Sequence, residues 1–323
     1  MDWEKLVVDY SFEFPKIAKS AFLKSASTME KIDNTLFVVD NLKHEIRIFR
    51  LNANGHMILG QEGNGPGDFQ FPRSIAFSET RYFVSDNNGI EVFDKDLYFI
   101  KRVRPFLNVT TLCILGKNIY CNAMDSYRNR FPLVFRLDLN GRIEKCYIDE
   151  QIEGSRLRLD KEGRIFSLGD MIVFVPINWN QIYFLDTNLG LIKKLALDYP
   201  LLDVLQEWNT SIDSLPDLHS VWLCNMVAAA KTFEGKIFIL LNVPRLEILE
   251  VSSEGKVVTH FYDDEYFRQM NWIDFAIDRI NNSIKFYVLG NSIREDKPSA
   301  DFNIYRLHGD KSRNRQNIAE RPN

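Results

Sequence analysis

Leu36-Phe37-Val38-Val39-Asp40, then Ile46-Arg47-Ile48-Phe49, then the turn Asn52-Ala53-Asn54-Gly55: this order of strand, strand and polar turn decides the fold, because the chain repeats it. YFVSD at 82–86 leads to IEVFD at 90–94, and NIYC at 118–121 leads to LVFRLD at 133–138. RIFS at 164–167 leads to QIYFLD at 181–186, KIFI at 236–239 to LEILE at 246–250, and IKFYV at 284–288 to FNIYR at 302–306. Each pair is read as the second and third strands of one unit, which makes six units.

The polar turn recurs with them. It reads Asp94-Lys95-Asp96, Asp138-Leu139-Asn140-Gly141, Asp186-Thr187-Asn188-Leu189-Gly190 and Ser252-Ser253-Glu254-Gly255. Gly and Asn accept positive φ at little steric cost, so these are short hairpin turns between antiparallel strands. They follow one another at about 41, 45, 49 and 65 residues, the roughly 40–50-residue period of propeller blades with one insertion. The expected fold is therefore all-β: a six-bladed β-propeller with four-stranded antiparallel blades. A β-sandwich also uses many short strands, but it does not repeat one turn at blade spacing.

The sixth unit stops early. It supplies strands near 272–277, 284–288 and 302–307, then runs into a polar tail with no fourth strand. The segment 5–12 (KLVVDYSF) is strand-like and precedes the first strand of the first blade, around 21–29. Placed beside 302–307 it covers an exposed sheet edge and ties the last blade to the first, so an N-terminal strand closing the last blade is expected. One propeller domain then covers 1–310. The insertion 201–219 carries Leu201, Leu202, Val204, Leu205 and Trp208 near helical spacing and is read as a short amphipathic helix capping the ring, and 311–323 as a disordered tail.

The segment 63–76 (GNGPGDFQFPRSIA) resembles the glycine-rich linker before a Phe-x-x-Pro-x-x-Ile-Ala strand of NHL-type blades. The segment 40–49 (DNLKHEIRIF) is similar to that family's Asp…Asn-His-Arg-Ile-x-Val-Phe hairpin, with Lys43 and Glu45 departing from it. The whole chain resembles the NHL/TolB-like six-bladed propeller proteins of bacteria. Residues 1–14 show no basic region followed by an apolar one, which leaves the compartment open, and the resemblance suggests export to the periplasm or cell surface with a trimmed leader. It also brings in calcium-dependent lactonases and zinc-dependent lyases as enzymes on related folds.

Composition narrows the function classes. Net charge is −4 with no basic stripe, against a general nucleic-acid binder. No apolar run reaches the ~18 residues of a membrane span. Gly63-x-Gly65-x-Gly67 lacks a following Lys-Ser/Thr and enters a strand through Pro72, so it is read as a blade connector rather than a phosphate loop. Cys113, Cys121, Cys146 and Cys224 lack metal-ligand spacing, and Cys113, Cys121 and Cys224 fall in strand-like runs. Of the five histidines, His44 holds the hairpin position that the resemblance makes structural and His56 follows a turn glycine, while His219, His260 and His308 sit in unlike places on their blades, against a histidine zinc site. A channel calcium would draw on Asp274 and Asn225, read as innermost-strand residues along with Arg73, Arg156 and Arg158, a set not acidic enough for a cage. No cofactor is expected.

Recognition is the favoured function. In a propeller one face collects the loops leading into each innermost strand and the loops joining second to third strands. On that reading they hold Arg73, Tyr127, Arg128, Arg130, Trp179, Trp222, Arg245, Trp272 and Arg294. Arg and Trp combine area with directional hydrogen bonds, which suits them to anchor a protein, peptide or glycan. A monomeric, non-catalytic binding protein is expected, with a calcium- or zinc-dependent hydrolase, lactonase or lyase as the alternative.

Overall fold

The computed structural model describes residues 2–8, 23–51, 56–105, 107–124, 127, 130–150, 161–213, 224–243, 245–263, 270–292 and 302–310. Five blades are consecutive four-stranded antiparallel meanders. The first is β2 (Ala26–Ile32), β3 (Thr35–Asp40), β4 (Glu45–Arg50) and β5 (His56–Leu59). The second is β6 (Ser74–Phe77), β7 (Arg81–Asp86), β8 (Gly89–Asp94) and β9 (Phe99–Val103). The third is β10 (Val109–Leu115), β11 (Asn118–Ala123), β12 (Val134–Leu137) and β13 (Ile143–Tyr147). The fourth is β14 (Gly163–Leu168), β15 (Met171–Pro176), β16 (Ile182–Leu185) and β17 (Leu191–Leu195). The fifth is β18 (Val227–Phe233), β19 (Lys236–Leu241), β20 (Leu246–Val251) and β21 (Val257–Asp263).

The sixth blade takes β22 (Met270–Ile280), β23 (Ser283–Ser292) and β24 (Phe302–Asp310) from the end of the chain and β1 (Asp2–Val8) from its beginning. β1 runs antiparallel to β24, with Lys5 opposite Asp310 and Val8 opposite Leu307. The pairing falls on the end of β24 rather than along 302–307. The same strand also pairs in parallel with β21, Asp2 opposite Thr259 through Lys5 opposite Tyr262. One strand thus closes blade six and fuses it to blade five. The innermost strands pack in a closed ring, β2 on β6, β10, β14, β18 and β22 in turn, with β22 returning to β2.

Blade four corrects the sequence reading. The segment 164–167 belongs to β14, the first strand, and the second strand is β15, a run the repeat had passed over. The local signal is Gly169, φ +61°, in the hairpin between β14 and β15, the counterpart of Gly116, φ +61°, between β10 and β11. Asn225 lies before β18 rather than in it, and Cys224 is likewise outside any strand.

Among the described residues the core falls into six clusters, one at each contact between neighbouring blades. Phe37, Val39, Ile46 and Ile48 of blade one meet Phe69, Ile75, Val84 and Phe93 of blade two, for example. A blade therefore buries both faces, which is why runs such as Leu36 to Val39 are continuously apolar instead of alternating.

Two polar devices repeat. Asp94, Asp138 and Asp186 each turn Oδ1 onto the amides two and four residues later, at 2.7–2.9 Å, and the Ser252 hydroxyl does the same more loosely. The left-handed position of these turns is the fourth residue: Leu97 (φ +67°), Gly141 (+84°), Leu189 (+57°) and Gly255 (+82°). In the fourth blade it is thus Leu189, not Asn188 or Gly190, that takes positive φ. The second device is an acid closing the second strand. Asp40 accepts from the amides of Lys24 and Ser25, and Asp86 from that of Gln70, tying each blade to the connection that precedes it.

The insertion forms α1 (Pro200–Asp213). Leu202 is buried among residues of blades four and five, with Leu201 and Leu205 packed beside it. Asn209 fixes the helix by donating to the Asn178 and Cys224 carbonyls and accepting from the Cys224 amide. The tail 311–323 lies outside the described residues, as do 214–219 of the insertion.

Candidate functional site

The loops leading into the inner strands and the loops joining second to third strands do share one face, and a cavity of about 410 Å³ opens on it between blades two and three. Arg73, just before β6, lines one side. Asn87 and Asn88, between β7 and β8, form the next. The connection from β9 to β10 supplies Arg104, Leu107 and Asn108. None of the described lining residues is acidic, and both charged ones are arginines.

The main chain around Arg73 is fixed. Its amide donates to the Ser85 carbonyl at 2.8 Å, and its own carbonyl accepts from the Ser27 hydroxyl at 3.1 Å. The guanidinium donates from Nη2 to Asn87 Oδ1 at 3.3 Å, while Nε is buried with no partner among the described residues. Gly89, φ +135°, forms the floor, and a Cβ there would lie 2.3 Å from the Val103 carbonyl oxygen. Only glycine lets β8 approach β9 this closely.

The other expected anchors do not join this cavity. Tyr127 and Arg130 close their own loop by two backbone hydrogen bonds of 2.8 and 3.0 Å, and Arg130 pairs with Glu150 at 2.7 Å. Trp179 is half-buried in the loop between β15 and β16, beside α1, with Nε1 buried and unpartnered among the described residues. Arg245 is ion-paired to the buried Glu247. Trp272, expected on the loop face, is instead 3% exposed inside β22 and packs in the core shared by blades five and six. Arg128, Trp222 and Arg294, with Arg156 and Arg158, lie outside the described residues. Asn87, Asn88, Arg104 and Asn108 were not singled out from the sequence. The local sign of them was the Asn87-Asn88-Gly89 turn followed closely by an arginine-rich strand end.

At the channel, inner-strand polar groups hold one another. Lys231 of β18 donates to the Met29 carbonyl, to Glu30 Oε1 at 2.5 Å, and lies 3.4 Å from Asp274 Oδ2. Burial alone would depress the Lys231 pKa, but the Asp274 and Glu30 carboxylates outweigh it and hold the ammonium above the usual lysine value. Asp274 also accepts from the Thr28 hydroxyl, the Met29 amide and the Phe275 amide. Arg164 of β14 donates twice to the Ala228 carbonyl, at 2.9 and 2.7 Å. Among the described residues no three His, Cys, Asp or Glu side chains converge as a metal site.

The glycine run wraps the fully buried Phe69. It turns the carbonyls of Asn64 and Gly65 onto the Arg102 guanidinium at 3.0 and 2.9 Å. Asp68 occupies the inside of the turn, accepting from the Gly65 amide at 3.0 Å. A phosphate loop needs free amides converging on an anion, whereas this one presents carbonyls and a carboxylate.

A family model described as a 6-bladed beta-propeller, DUF5128, matches residues 16–223. The chain belongs to that family. The two segments that resemble NHL blades, 40–49 and 63–76, lie inside the matched span. No curated protein matches the chain. Among solved structures it is similar to a protein of Bacteroides fragilis, at 12% identity and TM-score 0.62, over 95% of this chain and 98% of that one. It is also similar to the calcium-binding protein regucalcin of Agrobacterium tumefaciens, at 10% identity and TM-score 0.57, over 96% and 97%. A third is virginiamycin B lyase of Staphylococcus aureus with quinupristin, at 10% identity and TM-score 0.54, over 90% and 86%. Likeness at these identities is likeness of fold.

Proposed function

We propose that this chain is a monomeric, non-catalytic recognition propeller that takes a protein, peptide or glycan on the face carrying the blade-leading loops. The observation that carries the reading is the cavity between blades two and three, with its two arginines. Function tends to sit where a rigid scaffold carries variable loops, and this face holds both the long loops and α1. Trp179, Tyr127 and Arg130 add area on the same face, and Arg128, Trp222 and Arg294 fall in its loops by sequence.

The alternative is a calcium- or zinc-dependent hydrolase, lactonase or lyase working in the channel. Its support is weaker, because the Asp274 oxygens already accept from Thr28, Met29, Phe275 and Lys231, leaving poor access for a cation. Elemental analysis of the purified protein with array screening of peptides and glycans separates the two. For a ligand so found, Arg128→Ala and Trp179→Ala should each weaken binding by more than about 1 kcal/mol with the thermal midpoint nearly unchanged. Binding lost only on changing the opposite turns, at Asn54 or Asn140, places the working surface on the other face. Stoichiometric calcium or zinc with hydrolytic turnover favours the channel enzyme.

A further inference from the structure

We infer that the cavity between blades two and three is a carboxylate receptor, and that its ligand is an acidic peptide segment. The inference rests on the loop-face reading above and names the chemistry of one site on that face. Arg73 and Arg104 come from separate connections, the first leading into β6 and the second leaving β9, and both line the same cavity. Two guanidinium groups with no carboxylate among the described lining residues make a local positive site on a chain of net charge −4.

Asp86 and Glu91 of blade two are held by other groups, although the charge of Arg104 also acts on Glu91. Asp86 accepts from the amides of Gln70 and Asn88, each at 2.8 Å, and Glu91 is paired with Arg102. The Arg73 guanidinium is steered by Asn87, whose Oδ1 accepts from its Nη2. An arginine edge offering parallel N–H groups is matched by a planar carboxylate.

The rest of the lining favours a peptide over a sugar. Asn87, Asn88 and Asn108 bring primary amides, groups that donate and accept as a peptide does, with Asn87 Oδ1 held by Arg73 and Asn88 Nδ2 by Asn64 Oδ1. Leu107 gives an apolar wall.

The test is fluorescence anisotropy with a labelled oligoglutamate peptide, with oligoglutamine of equal length as control and oligogalacturonate as the acidic-sugar arm. Oligoglutamate should bind in preference to oligoglutamine, more weakly as salt rises, and each of Arg73→Gln and Arg104→Gln should reduce affinity about tenfold. Arg104 is exposed, so its variant reads out the site even where Arg73→Gln fails to fold. Oligoglutamate binding no better than oligoglutamine, binding unchanged in the Arg104 variant, or binding of oligogalacturonate alone each overturns the assignment. A ligand from the arrays that still depends on Trp179 and Arg128 would in that event leave the loop-face reading standing.

Discussion

Asp274 Oδ2 accepts the backbone N–H of Met29 at 2.7 Å, across a separation of 245 residues. The bond joins β22 of the last blade to β2 of the first, and the same oxygen takes the Thr28 hydroxyl at 2.6 Å while facing Lys231. Ring closure therefore has an inner fastening at the channel as well as the outer one made by β1. Removing the Asp274 carboxylate leaves the Met29 amide and the Thr28 hydroxyl without their acceptor while Lys231 keeps Glu30, a loss of about 1–3 kcal/mol. Asp274→Ala should destabilise by that order in urea unfolding, and Asp274→Asn by less. A change within about 0.5 kcal/mol in both variants would instead mark a surface-like residue with no fastening role.

The outer fastening has a distinct signature. Deleting residues 2–8 uncovers β24 and one side of β21 together, since β1 pairs with both. Thermal midpoint should fall sharply, and light scattering should detect self-association through the bared edges. Leu6 is 1% exposed among Phe261, Phe286 and Leu307, so Leu6→Ala alone should cost about 2–4 kcal/mol.

The turns after the third strands set backbone strain against burial. Leu189 holds φ +57° yet is buried in the cluster between blades three and four. Leu189→Gly relieves about 1–2 kcal/mol of left-handed strain but gives up a larger burial term, so it should destabilise. Leu97→Gly, at the half-buried counterpart, should come out near neutral. Gly141→Ala should destabilise, because its Cβ would meet Val103 Cγ1 at 2.6 Å on a backbone at φ +84°. Chemical denaturation of the three variants checks the order.

Glu91 makes stability pH-dependent. Burial pushes its pKa up to about 7 from 4.5, against the hydrogen bond and charge of Arg102. The native protein therefore holds more protons than the unfolded chain between those values, and stability falls as pH rises through that window. The loss is at most about 3 kcal/mol, complete above neutral pH. Glu91→Gln should flatten the wild-type decline between pH 5 and about 7.5, read as thermal midpoint against pH.

Much of the fold was legible because its determinants are local. The Asp that caps each turn reaches only two and four residues ahead, so Asp94, Asp138 and Asp186 write the repeat directly into the chain. The absence of a fourth strand after 302–307 and the strand-like N-terminus were likewise visible in order along the sequence. Blade four misled because its first strand, β14, has the composition of a second strand, and only pairing with β15 separates the two roles. Trp272 misled for a related reason: a tryptophan near a strand start suits a loop anchor or a core filler equally, and contact with Tyr305 and its neighbours across the blade decides.

By itself the sequence determined the blade: continuous apolar runs that must bury two faces, and a short polar turn recurring at blade spacing. These depend on the backbone and on neighbours a few residues away. The tertiary structure alone decided which polar groups meet. Lys231, Glu30 and Asp274 come together because the ring brings blades five, six and one around a common axis. Arg73 and Arg104 face one cavity because the connections on either side of blade two run over the same end of the ring. No periodicity along the chain encodes those distances, since they are set by the closure angle of six packed sheets.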